Sequence, residues 1–191
     1  MAIVLDIDDL DRAIINLKIG NPGISQTEIS KTLGISQPAI NKRMHQLKKE
    51  GYLKEIAGID LSKVKLYLAK SDISSDNTEQ ILEHMKKCPL YIQGFVTNGK
   101  FDLTVFVVGE DPNQILTYGN RRLRQNNDVK DSIKEMEWRL MVKPDQDFTI
   151  PIKPIIKKQK NPPCGADCKK CNMYDRCLGC PATEGYKGKL L

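Results

Sequence analysis

Five cysteines, Cys164, Cys168, Cys171, Cys177 and Cys180, fall within seventeen residues near the end of a 191-residue chain that has six in all. Clustered in this way in a chain expected to be cytosolic, they point to metal or redox chemistry before a disulfide framework. The spacing is C-x3-C-x2-C-x5-C-x2-C, with Pro181 directly after the last. Three thiols this close can approach three corners of one iron–sulfur cluster, a more distant fourth completes it, and a Cys-Pro end also occurs in bacterial-type ferredoxin runs. A [4Fe–4S] cluster is therefore the occupant we read first. Four of the five also read as C-x2-C-x5-C-x2-C, two pairs able to hold tetrahedral zinc, although the five-residue interval is short for a zinc ribbon. A metal-free thiol switch is the third reading. The spacing leaves open which cysteine is not a ligand. In either metal case this stretch has too few apolar residues to fold unaided, so ligation supplies its folding energy. Cys88, before Pro89 at a helix end, reads as a packed small residue.

A second chemistry lies between Ser25 and Gly51. Ser25 with Glu28 is a capping-box start, Ile29 and Leu33 give one apolar face, and Gly34 stands where a left-handed residue would close the helix. Ser36 can cap the next helix, which carries Pro38 in its first turn and ends before Gly51. Two short helices with a three- or four-residue break make a helix-turn-helix. On the second, Ile40, Met44 and Leu47 share one side, while Asn41, Lys42, His45, Gln46 and Lys49 lie around the other. From Ser36 to Lys49 there are four Lys or Arg and no acidic residue. Such a face suits a major groove, where amides read adenine edges and Lys or Arg meets guanine or phosphate. The bland alternative is a solvated surface helix. His45 has no visible partner in sequence and reads as a contact or an exposed residue rather than a ligand or base.

The positive charge is placed unevenly. Between Ile152 and Leu191 there are nine Lys or Arg against three Asp or Glu, so the whole formal net charge of +6 lies there and residues 1–151 sum to zero. No apolar run approaches the ~20 residues that span a bilayer, and MAIVLDIDDLD carries acids where a signal peptide needs a basic start. The expectation is a cytoplasmic protein without membrane partners. Residues 1–151 contain no paired acid and base, phosphate-cradling glycine loop or nucleophile motif, so no enzyme is expected.

The elements that must position these groups can be read in order. Leu10, Ile14 and Leu17 mark a first helix from about Asp6 to Ile19, with aspartates at 6, 8, 9 and 11 complementing the positive end of its dipole. After Gly51, YLKEIAGIDLSK has the composition of a short wing hairpin or of a strand leading out of the domain. Val64, Leu66 and Leu68 alternate as a strand. Asp76 and Glu79 form a second capping-box start for a helix carrying Ile81, Leu82 and Met85 and stopping at Pro89. YIQGFVT and FDLTVFVV flank the turn Asn98-Gly99-Lys100 as a hairpin; Asp111-Pro112 opens a helix through Ile115, Leu116 and Leu123; and IKEMEWRLMV is a last strand. Arg121, Arg122 and Arg124 stand at the end of that helix, where they favour its negative pole. Strand, helix, strand, strand, helix, strand is the split βαβ, ferredoxin-like order, with both helices on one face. FDLTVFVV is apolar on both sides, and a second subunit is the simplest cover, against the alternative of a monomeric domain. Pro144, Pro151 and Pro154, followed by KKQKNPP, mark a linker. The fold class expected is α+β: residues 1–60 a winged or simple helix-turn-helix, 61–150 a ferredoxin-like βαββαβ domain, 151–163 a basic Pro-rich linker and 164–191 a small Cys-rich module.

Over about residues 5–142 the chain resembles the Lrp/AsnC family of transcription regulators, also called feast/famine proteins. The resemblance is carried by Leu5-Asp6, by Ser30-Lys31-Thr32-Leu33-Gly34-Ile35-Ser36 through the turn, by Arg43 and Leu47, by Gly51-Tyr52-Leu53, and by Gly99-Lys100-Phe101-Asp102 in the hairpin. It implies a homodimer or higher homo-oligomer that binds a palindrome in double-stranded promoter DNA, with Ser36 and Arg43 holding phosphate and Gln37, Asn41 and Gln46 reading bases. It also implies a small-molecule effector near Gly99 and Asp102, between subunits. The tail lies outside the family pattern. The function expected is a DNA-binding regulator whose cysteine cluster senses redox or iron state. Its alternatives are an amino-acid-responsive regulator with a structural zinc tail and, in another class, an iron–sulfur electron-transfer protein.

Overall fold

A computed structural model describes residues 7–124, 126–141, 144–153, 158–168, 171 and 173–189. Leu5-Asp6 and the Arg121 and Arg122 side chains, to which sequence features were assigned above, lie outside the described residues. The chain divides into two compact units, Met1–Ile56 and Ala57–Leu191.

The first unit is three helices. α1 (Asp9–Gly20) begins three residues later than the sequence suggests, because Asp8 is its cap and accepts from the Asp11 amide. α2 (Gln26–Leu33) starts with the expected reciprocal capping box of Ser25 and Glu28, and Gly34 closes it at φ 66°. α3 (Gln37–Lys49) follows with Ser36 at its cap position, but the serine side chain makes no capping hydrogen bond, which departs from the expectation. Ile14, Ile29, Ile40, Met44 and Leu47 form the core.

The second unit holds β1 (Ile59–Asp60), β2 (Tyr67–Ser75), α4 (Thr78–Lys86), β3 (Tyr91–Val96), β4 (Leu103–Gly109), α5 (Pro112–Thr117), β5 (Ile133–Met141) and β6 (Thr149–Ile150). The main sheet runs β3-β4-β2-β5, all antiparallel, which is the ferredoxin-like order. α4 and α5 cover one face over a core that includes Ile73, Ile81, Met85, Leu103, Val105 and Ile115. On the other face Leu68 and Val108 pack with Leu61, directly after β1, and with Ile150 of the two-stranded β1-β6 ribbon. The residues after Gly51 therefore supply a strand leading out of the first unit, not a wing hairpin.

Three further departures have local causes. β2 runs to Ser75 because both of its faces are partly covered, which hides the period-two signal beyond Leu68. The cap of α4 is Asn77, which accepts from the Gln80 amide, while Asp76 pairs with Lys134 instead. α5 ends at Thr117 and passes into a π-helical turn, Tyr118–Leu123, where Gly119 lies so close to the Trp138 indole that an added Cβ would stand 2.1 Å from its Nε1. Among the described residues no helix is long and apolar enough to cross a membrane.

Candidate nucleic-acid interface and cysteine cleft

α3 is held by its apolar side: Ile40, Met44 and Leu47 are at most 4% exposed. The opposite side is open, and Ser36, Gln37, Asn41, Lys42, His45, Gln46 and Lys49 are all exposed. Two of its amides also make internal bonds: Gln26 donates to the Asn41 side chain at 3.2 Å across the turn, and Gln46 donates to Glu50 at 3.0 Å. These bonds orient the amides without burying them.

Arg43 is placed differently from the others. Its guanidinium donates to Asp8 and pairs with Asp11 at 3.1 Å, both on the α1 side. The pairing raises the Arg43 pKa, chiefly through the Asp8 hydrogen bond, and the Asp8 carboxyl is held below its ordinary value by the Asp11 amide first and Arg43 second. Its charge is thus already answered within the unit.

The hairpin tip carries the other two residues implied by resemblance. Gly99 adopts φ 116°, which favours glycine. The Asp102 carboxylate turns back to β2, accepting from the Ser75 amide at 2.9 Å and the Ser74 hydroxyl at 3.0 Å, and these two bonds lower its pKa in that order.

The tail belongs to the second unit and packs on it. Cys168, Cys171, Cys177 and Cys180 line one cleft of about 1020 Å³ together with Thr117 and Asn126. Cys164 is buried and is not among the lining residues, its carbonyl accepting from Asn126 Nδ2 at 3.4 Å. Among the described residues no three Cys, His, Asp or Glu side chains are yet gathered closely enough to hold a metal ion. Gln114, in α5, donates to the Gly179 carbonyl at 2.8 Å, and Glu110 accepts from the Tyr186 hydroxyl and the Lys189 amide. Part of the stretch read as a linker is also tied down: Lys153 Nζ donates to the Lys86 and Cys88 carbonyls at the end of α4, and Gln159 pairs with Thr183. Sequence reasoning did not find Glu110, Gln114, Thr117 or Asn126, because nothing local in sequence marks a wall built from residues 38 or more positions away from the partners they meet. Cys88 is fully buried, as expected of a packed residue.

Comparison with known families decides the nature of the first unit. Residues 7–54 match the winged helix-turn-helix DNA-binding family. This helix-turn-helix unit contains the whole exposed face of α3. A comparison with curated proteins finds no match. Solved structures of transcription regulators share the fold of most of the chain. The regulator NMB0573 of Neisseria meningitidis, solved as an L-Met complex, is 18% identical, with a TM-score of 0.62 over 78% of this chain and 97% of its own. AsnC of E. coli is 19% identical, with a TM-score of 0.58 over 76% of this chain and 99% of its own. The leucine response regulatory protein of Mycobacterium tuberculosis is 16% identical, with a TM-score of 0.61 over 74% and 96%. What is shared at these identities is the fold, a helix-turn-helix followed by an antiparallel α+β domain.

Proposed function

We propose that this chain is a non-enzymatic, DNA-binding transcription regulator that acts as a homodimer or higher oligomer, and that its cysteine tail holds an iron–sulfur cluster whose state changes operator affinity. The observation that carries the DNA-binding part is the α3 face: a helix fixed by three buried side chains presents amides and Lys42 and Lys49 outward with no acid among them. In this reading Gln37, Asn41 and Gln46 meet base edges and Ser36, Lys42 and Lys49 meet phosphate. Arg43 keeps the angle between α3 and α1. Exposed Phe95 and Val96 on β3, 51% and 67% accessible, support a partner subunit at that edge.

The tail supports the sensing part by its donor set: four cysteines line one cleft in the unit that also carries the regulator-like fold. When bound, a cluster supplies reversible electron uptake and an assembly that depends on iron supply. Ligation by four thiolates places net negative charge in a segment that is otherwise the basic part of the chain, and loss of the ligated state returns that basicity, with a salt-dependent effect on phosphate attraction.

The test is a mobility-shift titration of duplex promoter DNA across a salt series. Lys42→Ala is expected to weaken binding on all sequences and to reduce the slope of log affinity against log salt by about 1. Unchanged affinity and slope would sink the assignment of this face. A second reading is favoured by one observation, that the neighbour of N. meningitidis was solved with L-Met. In it an amino acid bound near Gly99 and Asp102 is the signal and the tail is a zinc staple; calorimetric titration with L-methionine showing binding, in protein that contains zinc and no iron, would establish it.

A further inference from the structure

The ligand set and the way it is read can be taken further than the spacing allows. Of the five tail cysteines, four line the 1020 Å³ cleft and Cys164 does not. Those four are the two C-x2-C pairs, Cys168 with Cys171 and Cys177 with Cys180, each of which can chelate as a unit. The pairs differ in setting. Cys177 and Cys180 are 7% and 1% exposed, whereas Cys168 and Cys171 are half-exposed. The buried pair is also held by its own loop: Gly179, at φ 88°, directs its amide to Cys177 Sγ at 3.4 Å.

A second observation concerns the wall of the same cleft. Thr117, 6% exposed and among the residues lining it, has a buried Oγ1 with no hydrogen-bond partner. The cleft wall that carries Thr117 is the end of α5. The same helix reaches the buried pair directly, since Gln114 bonds the carbonyl of Gly179, between Cys177 and Cys180, while its own Oε1 accepts from the Glu110 amide at 3.1 Å. Gln114 is 1% exposed, so this bridge is shielded from competing water.

We propose that Cys168, Cys171, Cys177 and Cys180 together form one four-thiolate site for a thiophilic metal centre, that Cys164 is not a ligand, and that α5 reads the site through Gln114. The site closes on binding. The four residues share a cleft, and ligation gathers them to metal-binding distance. Each thiol that binds exchanges its S–H bond for an S–metal bond and releases one proton to solvent. The closed site then holds Gly179, and through Gln114 the first turn of α5, more firmly than the open one. The inference rests on the reading of the tail as the sensor of a DNA-binding chain and names its ligands and its contact with the sensing domain. Iron with inorganic sulfide, or zinc alone, would satisfy the same four thiolates.

The full-length protein is purified without oxygen, and iron, inorganic sulfide and zinc per chain are measured for wild type and for the Cys→Ser variants at 88, 164, 168, 171, 177 and 180. Protein found empty is reconstituted with Fe²⁺ and sulfide, and separately with Zn²⁺. The expected result is full metal content in C88S and C164S and loss of the metal in each of the other four. Iron with sulfide identifies a cluster and zinc alone a zinc site; both support the ligand set. Metal lost from C164S, retained in full by any of the four, or bound by no form after reconstitution overturns it. Hydrogen exchange of the wild type with and without metal tests the contact with α5, so that no folding failure of a cysteine variant leaves it unread. Slower exchange on loading is expected over residues 110–117 and 177–180, and Gln114→Ala is expected to abolish the part in 110–117 at unchanged metal content. Equal exchange in loaded and empty wild type overturns it. Duplex DNA binding is measured on the same preparations: metal as expected without DNA binding defeats the regulator reading alone, and DNA binding without metal defeats this inference alone.

Discussion

Arg43 and Lys42 are neighbours on one helix and carry the same charge, yet they stand in different surroundings. At 3.6 residues per turn Arg43 falls on the border beside Leu47, toward α1, whereas Lys42 falls on the open side. The paired carboxylates of Asp8 and Asp11 complete the difference. Arg43→Ala is therefore expected to lower the melting temperature of the first unit and leave the salt slope of DNA binding near the wild-type value, the converse of Lys42→Ala; a thermal melt beside the salt series separates the two. The helix angle was legible in the sequence, but the partner was not, because the four aspartates near the start of α1 read equally well as dipole partners. His84 makes a second residue-scale case. It is 4% exposed, its Nδ1 has no partner, and its pKa is lowered from 6.5 by burial first and by Lys87 second, against a smaller opposing effect of Asp128. Well above pH 6.5 the imidazole is neutral folded and unfolded alike. As the pH falls through that value the unfolded chain takes up a proton that the folded one refuses, so stability falls until the folded group titrates too. Urea melts of the second unit between pH 7 and pH 5 should show this loss, and His84→Gln should flatten it; an identical slope in the variant would assign the loss elsewhere.

At the scale of elements, sequence signals served best where a helix end satisfies itself. Ser25 and Glu28 cap α2 reciprocally, and Gly34 ends it, all from residues within one turn. Ser36 occupies the same kind of position before α3 but makes no side-chain cap, so identical residue types at the two helix starts do unequal work. Ser25→Ala should destabilise the first unit by about 0.5–2 kcal/mol, and Ser36→Ala by much less, measured by denaturant unfolding; equal losses would show that the Ser36 hydroxyl caps in solution. Elements built from distant partners were less legible. The β1-β6 ribbon joins two-residue strands about ninety positions apart, too short for any periodic signal. The apolar spacing of Ile115, Leu116 and Leu123 predicts one continuous helix, but the close approach of Gly119 to Trp138 goes with a π-helical turn, and that approach depends on β5. The tail shows the same limit, since the cysteine spacing was plain while the wall of its cleft, from Thr117 and Asn126, was not.

For the molecule as a whole, the division at Ile56 separates the face proposed to read DNA from the cleft proposed to hold metal. Each unit has its own buried core, so each should unfold as its own cooperative step. A ligand that binds only the folded second unit stabilises that unit by RT ln(1 + [L]/Kd), about 4 kcal/mol at a thousand times Kd, and adds nothing directly to the first. Calorimetry of full-length protein is therefore expected to show two transitions, and stripping the metal with a chelator should lower one of them by several degrees while leaving the other in place. Fluorescence of Trp138, the single tryptophan, lies in the second unit and reports which transition moved. Cys177→Ser should match the stripped wild type, and Arg43→Ala should move only the other transition. If stripping moved both transitions together, the units would be energetically one body, and a signal at the cysteines would reach α3 through shared stability rather than through α5. If neither moved, the cleft would contribute no folding energy, and the docking of the tail would rest on contacts such as those of Gln114, Glu110 and Asn126.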